Sequence, residues 1–240
     1  MDSVESALAA ERGGAHRVEL CSNLLEGGTT PSAGLIARIR KKISIALHVM
    51  IRPRGGDFYY SADEFEAMQY DVRTAKELGA DGVVFGILEE GGHIDIKRAR
   101  SLLELARPMS VTFHRAFDMS SNLDEALEEV INSGVDRVLT SGGEQTAEAG
   151  IAALAKLVRA AEDRIVIMAG SGINETNVAR IIAETRVREV HASLKTPVPS
   201  PMLYRNERLS MGAIPGCEYQ RFVVLENKVR ELLAAASNTI

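Results

Sequence analysis

The chain has 240 residues, a formal net charge of -5, 45% apolar residues and 25% charged residues. That length suits a single α/β unit of about 250 residues and needs no disulfide or metal staple to hold a core. The acidic balance argues against nucleic acid as a partner, since phosphate binding wants a basic surface, but leaves room for a small anion in a locally positive cleft.

The chain opens on a helical pattern, Ser3–Arg12, with Asp2 and Glu5 at capping-box spacing. Strand candidates then follow at Arg17–Cys21, Ser44–Ile51, Gly82–Gly86, Val111–His114, Arg137–Thr140, Ile165–Met168 and Glu189–Ser193. Helical periods fill the intervals, as in Phe65, Met68, Val72, Ala75 and Leu78. Ser61 with Glu64 reads as a capping box, and Thr30 with Pro31 as an N-cap followed by proline. Gly14, Gly79 and Gly134 each stand between a helical pattern and a strand, where a left-handed C-cap suits glycine. Strand-helix alternation of this kind predicts a parallel sheet with right-handed crossovers.

One phase of several strands is polar. Glu19 and Cys21 alternate with Val18 and Leu20, and His48 and Arg52 with Leu47, Val49 and Ile51. Thr112 and His114 alternate with Val111 and Phe113, and Glu189, His191 and Ser193 with Val190 and Ala192. An open doubly wound sheet packs helices on both faces and wants neither phase polar. The prediction is therefore a TIM (β/α)8-type barrel over residues 1–240 as a single domain, its polar mouth at the strand C-termini. A long loop at 194–220 is expected over or beside the mouth, or in subunit contact, before a C-terminal helix at about 221–236. Only seven strands are found, so either one is missed or one lies upstream of Met1.

The residues with chemistry gather after the strands. Glu19, His48, Arg52, Arg54, Thr112, His114, Arg115, Asp118 and His191 are the pocket candidates. The arginines can clamp a carboxylate or phosphate, and histidine with Glu19 can move a proton. Glu189, lower on its strand, reads as structural, paired with a barrel arginine. Gly170, Ser171 and Gly172, with Asn174 as an N-cap, form either an anion site at a helix N-terminus or simply a tight turn. Cys21 reads on its own as a small buried hydrophobe. Cys21 and Cys217 make no CxxC pair, and neither a signal peptide nor a membrane span is visible, so a cytosolic protein with reduced thiols is expected.

The strings Ile51-Arg52-Pro53-Arg54-Gly55-Gly56-Asp57-Phe58 and Thr112-Phe113-His114-Arg115-Ala116-Phe117-Asp118, together with Glu19-Leu20-Cys21-Ser22, resemble the CutC family of copper homeostasis proteins. The resemblance runs from Asp2 to the region of Gly212. It implies a TIM barrel, a cytoplasmic and in animals also nuclear location, a homo-oligomer (dimer or tetramer) and Cu(I) as the bound ion. It also implies a first strand of the type Glu-Val-Cys before Asp2-Ser3, whose cysteine pairs with Cys21 on copper. Without that strand, Cys21 is expected to draw support from Met50, from His48 or from a second subunit, with Cys217 as second candidate, and to hold Cu(I) more weakly. Two functions stay open: a Cu(I)-binding homeostasis protein, or a barrel enzyme doing acid/base chemistry on a small phosphorylated or carboxylated metabolite.

Overall fold

The computed structural model describes residues 1–211 and 216–237. Seven parallel strands form one curled sheet in chain order: β1 (Arg17–Leu20), β2 (Ala46–Met50), β3 (Gly82–Phe85), β4 (Ser110–Phe113), β5 (Arg137–Thr140), β6 (Val166–Gly170) and β7 (Glu189–His191). Each pairs in parallel with the next, with Glu19 beside His48, Val84 beside Thr112 and Gly170 beside His191. β1 and β7 are the sheet's two edges. The result is a TIM-type barrel one strand short of closure. The free edge of β1 takes up Met1, whose amine donates to the Glu19 carbonyl at 2.9 Å and whose carbonyl accepts from Cys21 N–H at 2.9 Å.

Seven helices lie between and before these strands: α1 (Val4–Gly13), α2 (Ala33–Arg40), α3 (Ala62–Glu77), α4 (Ile96–Ala106), α5 (Leu123–Ser133), α6 (Ile151–Ala161) and α7 (Val178–Thr185). They cover the outward strand residues. Val18, Leu20, Leu47, Val49, Val83, Phe85, Val111 and Phe113 are all buried in the main core, as the period-2 alternation requires. The Ser61–Glu64 capping box forms in both directions at the start of α3.

Three other predicted helix starts need correction. The cap of α1 is Ser3, which accepts from Ser6 N–H, so Asp2 is not part of a box. The cap of α2 is Ser32, because Thr30 is spent on the Arg52 backbone through N–H, C=O and hydroxyl contacts. Before α7 the cap position is Asn177, not Asn174, whose side chain instead closes a turn onto Thr176.

Gly14 and Gly134 are left-handed C-caps at φ 95° and 89°, and Gly79 takes φ 82° just past α3. The Gly-x-Asp echo after two of these helices has a shared purpose. Asp81 accepts from Leu47 N–H on the preceding strand and from Arg40, and Asp136 accepts from Val111 N–H and Arg107. Each carboxylate thus ties the base of its own strand to the neighbouring one.

The stretch 194–220 is not a plain loop. Its ends form an antiparallel pair, β8 (Lys195–Pro199) with β9 (Gln220–Val224). The final helix, α8 (Glu226–Ser237), therefore starts later than the expected 221, because Arg221–Val224 extend along β8. Met202, Leu203, Tyr204, Leu209 and Met211 are exposed between these strands.

Candidate functional site

The polar strand phase faces the hollow of the curled sheet, in three levels. The lowest is a charge cluster. Glu189 accepts from Arg137 at 2.9 and 3.1 Å and from Arg17, while Arg137 also donates to Ser110 Oγ at 2.8 Å. Burial pulls the Glu189 carboxyl upward, but the hydrogen bond from Arg137 and the Arg17 and Arg137 charges prevail and lower its pKa. Arg17 to Glu189 also spans the seam between β1 and β7.

At the middle level Glu19 and His191 approach across the same seam, Oε2 to Nδ1 at 3.8 Å. His48 is 3% exposed and pushed down to about 3, first by burial and then by the Arg17 and Arg137 charges, so it is a neutral imidazole. Its ring lies where β3 has no side chain: a Cβ on Gly82 would sit 2.5 Å from His48 Nε2. A cavity of about 640 Å³ opens here, and Arg17, Glu19, Cys21, His48, Thr112, Glu189, His191 and Ser193 line it together with apolar residues of α1, α7 and α8.

At the upper level the inner wall is soft. Cys21, Met50 and Val84 form a small buried cluster separate from the main core, with Leu24 against it. Gly28 crosses this cluster at φ 99°, where a Cβ would lie 3.3 Å from Cys21 Sγ and 3.6 Å from the Met50 methyl. Burial raises the Cys21 thiol above its ordinary pKa, so the thiol is protonated at neutral pH. Cys217 stands apart in the turn before β9, its Sγ 4.0 Å from Gln220 Oε1. Among the described residues no group of three or more His, Cys, Asp or Glu side chains is arranged to hold a metal ion.

The remaining candidates do not share one wall. Arg52 and His114 are buried at the C-terminal ends of β2 and β4, 5% and 4% exposed. His114 Nδ1 accepts from Ala116 N–H at 3.1 Å, which caps the 3-10 turn Arg115–Met119. Arg115 and Asp118 pair within that turn at 2.7 Å, and Asp118 also accepts from Thr140, Ser141 and Gly143. They brace the loop after β5. Arg54 points away from the hollow to Glu64 and Asp57. Ser171 takes φ 81° and donates to the Gln145 carbonyl, while a Cβ on Gly172 would lie 3.0 Å from Thr146, so the 170–172 segment packs on the 145–146 loop.

Sequence reasoning missed Gly82 and Gly86, although their spacing on the inward phase of β3 was visible. A Cβ on Gly86 would lie 2.5 Å from His114 Cε1, as one on Gly82 would clash with His48. It also passed over Arg17 and Arg137, whose shared partner lies on β7.

The CutC family profile matches residues 1–196. A CutC family protein of Bacteroides fragilis is 47% identical over 241 residues, covering 100% of this chain and 96% of that protein. The human copper homeostasis protein cutC homolog is 48% identical over 241 residues, covering 100% of this chain and 88% of that protein. A crystal structure of CutC from Streptococcus agalactiae superposes with a TM-score of 0.71 at 37% identity, over 74% of this chain and 88% of that one. A phosphoribosylanthranilate isomerase of Thermotoga maritima, at 15% identity, shares the fold with a TM-score of 0.59 over 99% of this chain and 95% of that one.

Proposed function

Because the chain belongs to the CutC family, we propose that it serves copper homeostasis by taking up Cu(I) on Cys21, with the Met50 thioether as second ligand. The observation that carries this reading is the Cys21–Met50–Val84 cluster, which puts a thiol and a thioether together on the inner wall. Cu(I) is soft and favours such ligands over oxygen. The thiol must lose its proton to bind, and burial opposes that loss, so affinity should rise by up to about tenfold per pH unit below the thiol pKa. Both ligands are buried behind Gly28, which favours a slow, guarded exchange of the ion.

The same reading puts the protein in the cytosol, where thiols stay reduced, and in animals in the nucleus as well. Among the described residues no helix is long and apolar enough to cross a membrane. A homo-oligomer, dimer or tetramer, fits the exposed Met202, Leu203, Tyr204, Leu209 and Met211 between β8 and β9. Neither nucleic acid nor membrane is a partner in this reading. The test is competitive titration of the reduced protein with a Cu(I) chelator. Cys21→Ser should remove most of the binding and Met50→Leu should weaken it, while Cys217→Ser leaves it intact. Unchanged affinity in Cys21→Ser would overturn the assignment.

One observation favours a second reading, an enzyme of acid/base chemistry on a small anionic metabolite. The cavity presents Glu19 and His191 as a pair beside a neutral His48, which is a proton-moving set. A turnover screen of carboxylated and phosphorylated metabolites tests it, with Glu19→Gln as the inactive control.

A further inference from the structure

Three arginines stand on the inward phase of the sheet, and their charges are answered unequally. Arg17 and Arg137 share the Glu189 carboxylate. Arg52 has only neutral acceptors, the carbonyls of Glu26 at 2.6 Å, Gly28 at 3.0 Å and Gly56 at 2.7 Å. Among the described residues no carboxylate pairs with it. A guanidinium 5% exposed and without a counter-charge is an expensive feature for a fold to keep.

The surroundings repeat the deficit. His114 Nε2 and Thr112 Oγ1 are buried without a partner, and Arg52 Nε and Tyr60 Oη, although the two side chains interact, make no hydrogen bond of good geometry. Since His114 Nδ1 accepts from Ala116 N–H, the neutral ring carries its proton on Nε2, making it a donor with nothing to donate to. Gly86 leaves the wall of β3 bare to admit that ring. One aromatic side chain touches both donors: the Phe58 ring lies 4.9 Å from Arg52 Cζ and 5.0 Å from the His114 ring centroid. Its π face is a weak substitute for a counter-ion. Phe58 is itself only half-buried, next to the exposed Tyr59.

We propose that the space now held by Phe58 is a site for a small carboxylate, with Arg52 as counter-charge and Nε–H donor and His114 Nε2–H as second donor. The Thr112 hydroxyl is within the same inward phase of β4 and supplies a further polar group. One cation and two N–H donors match a monoanion with two oxygens. A phosphate, with close to two charges and three oxygens, would be under-neutralised there. The location also suits the fold, since ligands of such barrels bind at the strand C-termini. This inference rests on the second reading above and names its substrate class.

The probe is sodium acetate, titrated calorimetrically and by thermal shift against sodium chloride and sodium phosphate at matched ionic strength. Saturable binding of acetate, tighter than that of either control anion, is the expected result. His114→Asn keeps an acceptor for Ala116 N–H but removes the Nε2 donor, and should weaken acetate at least about fivefold. Phe58→Ala should strengthen it at least about threefold, by vacating the site without touching a donor. Acetate binding no better than chloride in both the natural chain and Phe58→Ala would overturn the proposal, as would His114→Asn binding acetate undiminished or phosphate binding more tightly. Acetate binding without turnover of any carboxylate leaves the site standing and removes the enzyme reading. Turnover that survives in His114→Asn, in a protein that does not bind acetate, does the reverse.

Discussion

Glu189→Gln tests whether the seam of the open barrel is held by charge. The substitution keeps the side chain's size but leaves Arg17 and Arg137 facing each other without a shared counter-ion. Removing one partner of a fully buried ion pair costs about 3–5 kcal/mol. The side chains of Glu189 and Arg17 are 28% and 25% exposed, and that of Arg137 11%, so water screens part of the loss. About 2 kcal/mol is the resulting expectation. For a chain of this size that is a drop in Tm of about 4–8 °C. Urea unfolding at pH 7 reads the first number and calorimetry the second.

The sign of the pH dependence is fixed by the same contacts. The folded carboxyl of Glu189 sits below its ordinary pKa, because Arg137 and Arg17 outweigh the effect of burial. Its contribution is therefore fully present above the unfolded carboxylate pKa of about 4, and is lost as pH falls through the depressed folded value. The gap between the natural chain and Glu189→Gln should accordingly close on acidification below about pH 4. A gap under about 0.5 kcal/mol at pH 7, or one that widens in acid, would refute the reasoning.

Gly86→Ala places a Cβ 2.5 Å from His114 Cε1 and 2.7 Å from the Ala116 methyl, and should cost about 2–3 kcal/mol in urea unfolding. Gly91→Ala, whose nearest neighbour is His93 at 3.5 Å, should stay within about 0.5 kcal/mol. His48 and His114 both titrate near 3 when folded, so the unfolded chain binds more protons below its histidine pKa of about 6.5. Stability should then fall as pH drops from about 6.5 towards 3, by up to about 1.4 kcal/mol per unit for each ring, and a His48→Gln variant should show a shallower slope. Ser61→Ala removes the acceptor for Glu64 N–H at the head of α3 and should cost about 1 kcal/mol, with Asp63→Ala as a neighbouring surface control.

The parts of this fold legible in the sequence are those governed by local periodicity. Period-2 alternation located all seven strands to within a few residues, because each outward phase must be apolar to pack on a helix. The inward phase carries Glu19, His48, Thr112 and His191, which line one cavity. Caps were legible where the cap residue had no rival, as at Ser61. They were misread where another oxygen lay close by. Ser3 competes with Asp2, and Ser32 takes over because Thr30 is claimed by Arg52, 22 residues away. The lower charge cluster was only half visible. Its partners Arg17 and Glu189 are 172 residues apart, and only the curl of the sheet brings β1 next to β7. The glycines opposite His48 and His114 escaped notice for a similar reason: a bare position on β3 acquires meaning only once the rings of β2 and β4 are known to lean over it.

The inward charges show a logic that no single strand contains. At the base, two guanidiniums and one carboxylate close the seam, so their role is complete within the chain. In the middle, Glu19 and His191 face each other at 3.8 Å, beyond a good hydrogen bond, so either can turn to a third group. Near the strand ends, the Arg52 guanidinium has only backbone carbonyls to answer it and the His114 Nε2–H has no acceptor. At the mouth the groups divide: Arg115 with Asp118 and Arg54 with Glu64 are paired, while among the described residues Arg52 has no counter-charge and His114 Nε2 no acceptor. Polar groups kept buried at a cost are retained where something outside the chain completes them. The soft Cys21–Met50 wall lies at the same upper level, beside these unanswered donors rather than among the paired charges. An ion or small molecule entering from the mouth would therefore meet groups still in need of a partner.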